Sequence, residues 1–329
     1  MTVGGSESAA QTSGGKRFGT ISARLRQTSF TLLDAVQLFF LSALSVLQIG
    51  LWHRVPQSHA LLFLYIGCFI LLAGTALTAR ASSRPGIRLF DDLIVPIVVL
   101  LVVFETLGYS IPAVNTTWLE PTLIRLDSWL FGMSGSEYLE RYYNWVLLDL
   151  MHLFYVSFYF VPLSLLVVMY RRGKRAEFQH SLGAIGLTFY ACFALYYVFP
   201  VLGPYRDPDV YIHFTRDIVT SGGALTRILR GFLDHAEIVA YDCFPSGHVA
   251  ATLVTIFLAY RYRLAIRGYY VFIGVMILLS TVYLRYHYVT DLLAGALVAV
   301  FIYWLSPNAC RVLIYCGETQ RWLRYQKES

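Results

Sequence analysis

The sequence predicts an all-α, polytopic membrane bundle of about eight transmembrane helices. Of the 329 residues, 57% are hydrophobic and 14% are charged, whereas soluble domains have an apolar share nearer half and a charged share nearer a quarter. Runs of about 20 apolar residues, the length that a helix needs to cross ~30 Å of hydrocarbon, recur along the chain. The net charge of +6 comes from short basic clusters between these runs, which set topology and meet anionic headgroups. We therefore expect a membrane protein with no nucleic-acid partner.

The chain begins with a predicted disordered tail over residues 1–29, which is rich in Gly and Ser. Eight apolar segments follow, and the fourth is long enough to tilt or to extend beyond the bilayer. The segments cover residues 31–52, 60–79, 91–109, 144–169, 180–200, 246–263, 268–284 and 288–305. A C-terminal tail is predicted over residues 306–329.

The basic residues predict the orientation of these segments. With the N-terminus placed in the cytoplasm, 18 Lys and Arg lie on the inner side and 8 on the outer side, so the positive-inside rule favours two cytoplasmic termini. Two long loops, 110–143 and 201–245, then lie on the outer face. Each contains a predicted surface helix, at Asp127 to Gly132 and at Ala224 to Ile238.

The outer face would be periplasmic, extracellular or lumenal, and a bacterial plasma membrane is the expected location. Cys243 falls on the opposite side from Cys310 and Cys316, while Cys68 and Cys192 lie inside apolar segments. No disulfide framework is therefore expected. A homo-oligomer is an open alternative to a monomer.

Ionisable residues from separate segments meet at this outer face. His248 lies at the outer start of the sixth segment, and His287 and Asp291 lie at the outer start of the eighth. Asp291 follows His287 by four residues, so on a helix the two side chains share one face. A carboxylate that accepts from one ring nitrogen leaves the other nitrogen as a nucleophile or base. The alternative is a hydrogen-bonded histidine packed at a helix end.

The tetrapeptide from Pro245 to His248 adds a second element. Proline is tolerated in a first helical turn, glycine lets a ligand approach the backbone, and unpaired N–H groups at a helix start favour an anion. Ser246 and Gly247 are therefore candidate phosphate contacts. The plainer interpretation is a helix start with a turn, and a metal site of two histidines and one carboxylate is the competing chemistry.

Together these motifs resemble the membrane type 2 phosphatidic acid phosphatase superfamily. Pro245 to His248 match its Pro-Ser-Gly-His motif, and His287 with Asp291 match the His-x-x-x-Asp that ends its third motif. The resemblance covers roughly residues 91–305, six helices, and implies neither a cofactor nor a metal. It implies that His287 attacks phosphorus to form a phosphohistidine, that Asp291 orients it, and that His248 is the general acid and later the base.

The sequence departs from this family at two places. Ser280 and Thr281 stand where the phosphatase form of the third motif has Ser-Arg, which leaves Arg285 as the nearby arginine. The first motif is reduced to Arg206 before Asp207-Pro208. Arg206 and Arg285 are thus candidate phosphate clamps. The remaining pattern is similar to that of the inositol phosphorylceramide synthases and sphingomyelin synthases, which move a phospho-headgroup between lipids.

The resemblance makes residues 30–90 two extra helices in front of a core over residues 91–305. Asp149, His152, Tyr205 and Asp242 are candidate headgroup contacts. For Asp149 and His152, a hydrogen-bonded pair within the bundle is an equal alternative. We expect a lipid phosphotransferase that acts on membrane phospholipid or sphingolipid-type substrates. A lipid or polyprenyl phosphate phosphatase and a non-catalytic lipid-binding or scramblase protein are the alternatives.

Overall fold

The structure, a computed structural model, describes residues 31–78, 85–117, 119–211, 214–236 and 239–314. Every regular element in these ranges is a helix, and the pairing of Val201 with Asp242 is an isolated β-bridge. The all-α prediction is confirmed. The predicted N-terminal tail lies outside the described residues, as do residues 315–329 of the predicted C-terminal tail.

The helices follow one another along the chain with short connections. The first half comprises α1 (Leu32–Gly50), α2 (Ser58–Thr78), α3 (Pro85–Leu89), α4 (Val95–Val114), α5 (Glu120–Phe131), α6 (Gly135–Glu140), α7 (Trp145–Ser157) and α8 (Val161–Arg171). The second half comprises α9 (Arg175–Val198), α10 (Pro208–Tyr211), α11 (Ile218–Ser221), α12 (Ala224–Ala236), α13 (Gly247–Arg261), α14 (Arg267–Tyr283) and α15 (Val289–Ile314). A π-helical turn, Phe90–Ile94, joins α3 to α4.

By length and composition, five spans of the described chain can cross a membrane, or six if the pair α7 and α8 counts as one. The predicted sixth and seventh segments form α13 and α14, which have 15 and 17 residues. At 1.5 Å per residue they are about 22–26 Å long, short of the ~30 Å of hydrocarbon. Six spans of the described chain therefore pass this length test if α7 and α8 count as one, and α13 and α14 are the two predicted segments that fall short of it.

The predicted fourth segment is two helices and not one. α7 and α8 meet at an angle of 44°. Pro162 lies at the start of α8, and a proline removes one backbone hydrogen bond and clashes with the carbonyl four residues earlier, which is that of Phe158. The helix consequently breaks between Ser157 and Val161. The predicted surface helix at Asp127 is also longer than expected, since α5 begins at Glu120.

Large apolar side chains are exposed on the long helices. Phe39, Phe63 and Leu297 are each more than 70% exposed, on α1, α2 and α15 respectively. Exposed apolar surface of this kind marks a contact with lipid or protein. Together with the apolar spans, it identifies the chain as an integral membrane protein.

One end of the bundle, which we name the site end, is held together by buried carboxylates. Glu120 accepts from the N–H of Leu202 at 2.7 Å, and Asp127 accepts from the N–H groups of Val289 and Thr290 at 2.9 Å each. Asp127 thereby satisfies two of the backbone donors that the start of α15 leaves unpaired. These bonds join α5, the segment after α9 and the start of α15.

The opposite end of the bundle has its own polar contacts. Arg175 forms an ion pair of 3.0 Å with Asp92. His180 contacts the Tyr262 hydroxyl at 2.7 Å through Nδ1 and the Ser306 hydroxyl at 3.1 Å through Nε2. These contacts link α9 to the π-helical turn, α13 and α15.

Helix α13 lies in the centre of the bundle, where it packs against α9, α14 and α15. Ala250, Ala251 and Val254 are fully buried on it, and small residues let helices approach closely. The first turn of α13 is thereby held in the middle of the site end.

Candidate active site

Two histidines are in contact at the site end. His248 lies in the first turn of α13, and His287 lies just before α15. The Nε2 atom of His287 is 3.2 Å from the Nδ1 atom of His248, and the ring centres are 5.4 Å apart. The structure therefore brings together two histidines that stand on different predicted segments.

Asp291 lies in the first turn of α15, four residues after His287. Its Oδ2 atom is 3.4 Å from Nδ1 of His287 and accepts from the N–H of Tyr288 at 2.8 Å. Because the carboxylate faces Nδ1, it holds the ring proton on that nitrogen and leaves the lone pair on Nε2. The lone pair is thus on the nitrogen that faces His248.

Cys243 is a further partner of Asp291 that the sequence reasoning did not single out. Its thiol donates to Asp291 Oδ2 at 2.8 Å, and its sulfur is 3.4 Å from His287 Nδ1. Burial, and then the charge of Asp291, raises the pKa of this thiol well above its ordinary value, so the thiol is a neutral donor. Although Cys243 was predicted on the outer side, only 3% of it is exposed.

Cys243, His287 and Asp291 each offer one ligand atom, and these atoms lie within 4.8 Å of one another. This trio differs from the alternative of two histidines and a carboxylate, because His248 faces the other ring nitrogen of His287. Within the trio, the thiol and the Tyr288 N–H already bond to the same carboxylate oxygen. The contacts describe a hydrogen-bonded group that orients His287.

The start of α13 is fixed against α15. The N–H of Ser246 donates to the Asp291 carbonyl at 3.1 Å, and the Ser246 side chain accepts from the Val249 N–H at 3.3 Å. Gly295 permits this approach, since a Cβ there would lie 2.5 Å from the Ser246 carbonyl oxygen. The two motifs are therefore locked to each other, with Ser246 as the helix cap.

His248 borders an apolar cavity of about 290 Å³. The rings of Tyr155 and Phe158 lie 4.8 and 4.3 Å from its imidazole. Its Nε2 atom is buried and has no hydrogen-bond partner among the described residues. An unpaired nitrogen beside an apolar cavity is placed to meet a ligand.

The cavity runs from the site end towards the opposite end of the bundle. Gly247 and Asp242 line it near His248, while Leu33 and Pro96 line its far part. Its other walls come from α4, α8 and α9 and are largely aliphatic or aromatic, including Leu100, Phe104, Leu166, Ile185 and Phe193. Its shape and chemistry suit a long hydrocarbon chain whose polar end lies at His248.

The two candidate phosphate clamps contact other groups of the protein, but the guanidinium nitrogens of Arg285 have no hydrogen-bond partner among the described residues. The guanidinium of Arg206 donates to the carbonyl of Val239. Arg285 is fully buried, 3.4 Å from a carboxylate oxygen of Glu140 and 3.8 Å from the ring centre of Phe214. Phosphate binding by either arginine stays a prediction.

Asp149 and His152 are linked through Thr226 of α12. Asp149 Oδ1 accepts from the N–H groups of Gly223 and Thr226 at 3.0 and 2.8 Å, and from the Thr226 hydroxyl at 2.6 Å. His152 Nδ1 is 3.4 Å from the same hydroxyl. The structure thus places both candidates at the junction of α7 and α12.

Arg230, on α12, is a second residue that sequence reasoning missed. It is 2% exposed, and its guanidinium lies 3.4 Å from the centre of the Tyr205 ring, donates to the Tyr286 hydroxyl and pairs with Asp234 at 2.8 Å. The predicted surface helix is present, but Arg230 on it points into the protein. The four-residue spacing from Thr226 is a signal that could have indicated a shared buried face.

The fold and the site define a membrane-embedded helical protein with a paired-histidine centre beside an apolar cavity. The family model of the PAP2 superfamily matches residues 121–305, more than half of the chain. The chain belongs to the PAP2 superfamily.

The chain is also similar, over part of its length, to a further protein. A PA-phosphatase related-family protein of Dictyostelium discoideum is 29% identical over 117 residues, which is 35% of this chain and 20% of that protein. The chain therefore spans about a fifth of the length of that relative, and the match gives no support to a bacterial source. No solved structure matches the chain.

Proposed function

We propose that the protein transfers a phospho-headgroup between membrane lipids through a phosphohistidine on His287. The observation that carries this proposal is the contact of His287 Nε2 with His248 at 3.2 Å, beside an apolar cavity of about 290 Å³. Members of the PAP2 superfamily are phosphatases or phosphotransferases on lipid phosphoesters. Phospholipid or sphingolipid-type molecules are the substrates that such a cavity fits.

In the first half-reaction, His287 Nε2 attacks the phosphorus of a donor lipid. The N–P bond forms, the bond between phosphorus and the glycerol oxygen breaks, and a proton on His248 passes to that oxygen. Asp291 stabilises the positive charge that develops on the His287 ring. In the second half-reaction an acceptor hydroxyl attacks phosphorus, the N–P bond breaks, and the hydroxyl proton passes to His248.

The two rings must separate before a phosphoryl group is attacked. The phosphorus atom must lie about 3–3.5 Å from the nucleophile before attack, and the leaving oxygen must also lie within hydrogen-bond reach of the acid. A contact of 3.2 Å between the two nitrogens leaves no room for a phosphoryl group between them. We infer that substrate binding displaces His248 towards the cavity, where its Nε2 is unpaired.

Transfer is favoured over hydrolysis by the burial of the site. His287 and Asp291 are buried, and the cavity beside His248 is lined mainly by apolar side chains. Such walls exclude water and admit a lipid alcohol. With both termini in the cytoplasm, the site end would face outwards. A phosphatase of the same superfamily is the main alternative, and a scramblase or lipid-binding protein is the non-enzymatic one.

The test uses the purified full chain in vesicles that contain phosphatidate with a labelled phosphate, with and without a lipid alcohol such as ceramide. We expect the label to appear mainly on the added alcohol, with little inorganic phosphate. Release of inorganic phosphate that the alcohol does not reduce would support the phosphatase alternative. If no acid-labile label appears on the protein, the result would contradict an enzyme of either kind.

A metal chelator provides the matching control. The orienting group of Cys243, His287 and Asp291 acts without a metal in this mechanism, so transfer should persist after treatment with EDTA. Loss of transfer that a divalent ion restores would instead assign a metal to these three residues.

A further inference from the structure

His152 and Arg230 form a buried cluster that the mechanism above does not use. His152 is fully buried, and Arg230 is 2% exposed. Nε2 of His152 and Nε of Arg230 each lack a hydrogen-bond partner among the described residues. A buried polar group without a partner costs about 1–3 kcal/mol, so two of them at the junction of α7 and α12 require an explanation.

The protonation of His152 follows from its neighbours. Nδ1 lies 2.9 Å from the Leu148 carbonyl, which can only accept. It also lies 3.4 Å from Thr226 Oγ1, whose proton is donated to Asp149 at 2.6 Å. Both neighbours need a donor, so Nδ1 carries the proton. Nε2 therefore presents a lone pair, whereas Nε of Arg230 presents an N–H.

This cluster reaches the histidine pair through contacts between α7, α12 and the segment before His287. Thr226 and Arg230 are one turn apart on α12, as His152 and Tyr155 are on α7. The Tyr155 ring stacks on Tyr286 at 4.2 Å, and the Tyr286 hydroxyl accepts from Arg230.

Two residues of this group, Tyr155 and Tyr286, also lie next to the catalytic histidines. The Tyr155 ring lies 4.8 Å from His248, and Tyr286 precedes His287 in the chain. The cluster is therefore one aromatic side chain away from the proposed reaction.

We propose that His152 Nε2 and Arg230 Nε bind one hydroxyl group of a lipid substrate. A hydroxyl donates its proton to the lone pair on His152 and accepts from the N–H of Arg230, so it satisfies both atoms at once. The lone pair on His152 would repel a phosphate oxygen, and the guanidinium of Arg230 would repel a quaternary ammonium. The site therefore selects an uncharged, hydroxyl-bearing group, an inference that rests on the proposed phosphotransfer.

The experiment measures the rate of phosphohistidine formation with three donor vesicles, each of one lipid in a neutral carrier. Phosphatidylglycerol has a hydroxyl-bearing headgroup, phosphatidylcholine has none, and phosphatidate has no headgroup. We expect phosphatidylglycerol to load the protein at least about 10-fold faster than phosphatidylcholine. His152→Asn keeps an amide near the Nδ1 position and has no atom at the Nε2 position. This variant should form phosphohistidine about 10-fold or more slowly from phosphatidylglycerol and at an unchanged rate from phosphatidate.

Three variants keep the result specific. His152→Gln places an acceptor near the Nε2 position and should recover part of the loss. Arg230→Lys keeps the charge without Nε and should behave like His152→Asn. Arg227→Lys, at an exposed arginine of the same helix, should match the unaltered protein. Thermal unfolding of each variant shows whether it is folded.

The hydroxyl could come from the donor headgroup or from the acceptor alcohol, and the two half-reactions separate these sources. If the donor supplies it, the His152 variant slows loading from phosphatidylglycerol. If the acceptor supplies it, loading is normal and discharge of the phosphohistidine by ceramide is slowed. A folded variant that is normal in both steps, or that loses phosphatidate as strongly as phosphatidylglycerol, would overturn the hydroxyl site. No phosphohistidine with any lipid would overturn the proposed function itself.

Discussion

Buried histidines at the two ends of the bundle differ in how they are bonded. At the opposite end, both ring nitrogens of His180 have a hydroxyl partner, at 2.7 and 3.1 Å. At the site end, His248 and His152 each keep a buried Nε2 without a partner in the described chain. Burial alone therefore does not separate a structural histidine from a functional one. The partners do, because His180 bonds only to hydroxyls, whereas His287 contacts Asp291 and His248, and an unpaired buried nitrogen leaves a hydrogen-bonding position open to a ligand.

The largest effect is expected at His287. His287→Gln removes the nucleophile, so turnover should fall by about 10⁴-fold or more, and the labelled phosphoprotein should disappear with it. The measurement is acid-labile label on the protein after a single turnover. A His287 variant that still carries label would place the nucleophile elsewhere.

His248→Ala should differ in kind from His287→Gln. Lipid turnover should fall by about 10²–10⁴-fold, because the leaving oxygen is no longer protonated. An aryl phosphate whose leaving group is a stable anion should still load His287, and the adduct should then accumulate because the acceptor is not deprotonated. Rapid mixing with such a substrate follows both steps, and equal loss of loading with lipid and aryl substrates would reverse the assigned roles.

A smaller effect is expected at Cys243, which reaches the reaction only through Asp291. Cys243→Ala removes the S–H donor at 2.8 Å, so the carboxylate is held less firmly and turnover should fall by about 10-fold, a loss near that of one hydrogen bond to a charged group. Cys243→Ser keeps a donor and should retain most of the rate. If serine and alanine behave alike, the thiol fills space and does not position Asp291.

The smallest effect on turnover is expected at His180, whose two ring nitrogens both have hydroxyl partners. His180→Phe leaves the hydroxyls of Tyr262 and Ser306 without this partner and should lower the free energy of unfolding by about 1–3 kcal/mol. Activity per folded molecule should be unchanged. Thermal unfolding and phosphotransfer on the same sample check both statements, and a loss of turnover without a loss of stability would abolish the distinction between the two ends.

The membrane bundle and the histidine motifs were predictable because both depend on local pattern. Runs of apolar residues identify helices that face lipid, and the His-x-x-x-Asp spacing places two side chains on one helical face. Their identity as site residues also came from a resemblance carried by short motifs. The lengths of the helices were less predictable. Pro162 interrupts the predicted fourth segment between α7 and α8, and α13 and α14 are shorter than the apolar runs that contain them.

The sequence by itself determined the fold class, the membrane location and the pair of motifs that meet at the site end. The tertiary structure alone decided which nitrogen of His287 faces His248, that Cys243 is a partner of Asp291, and that Arg230 turns inward from α12. The physical reason is that hydrogen bonding and burial are set by residues distant in sequence. Thr226 and His152, for example, are 74 positions apart, and no local pattern records that they are in contact.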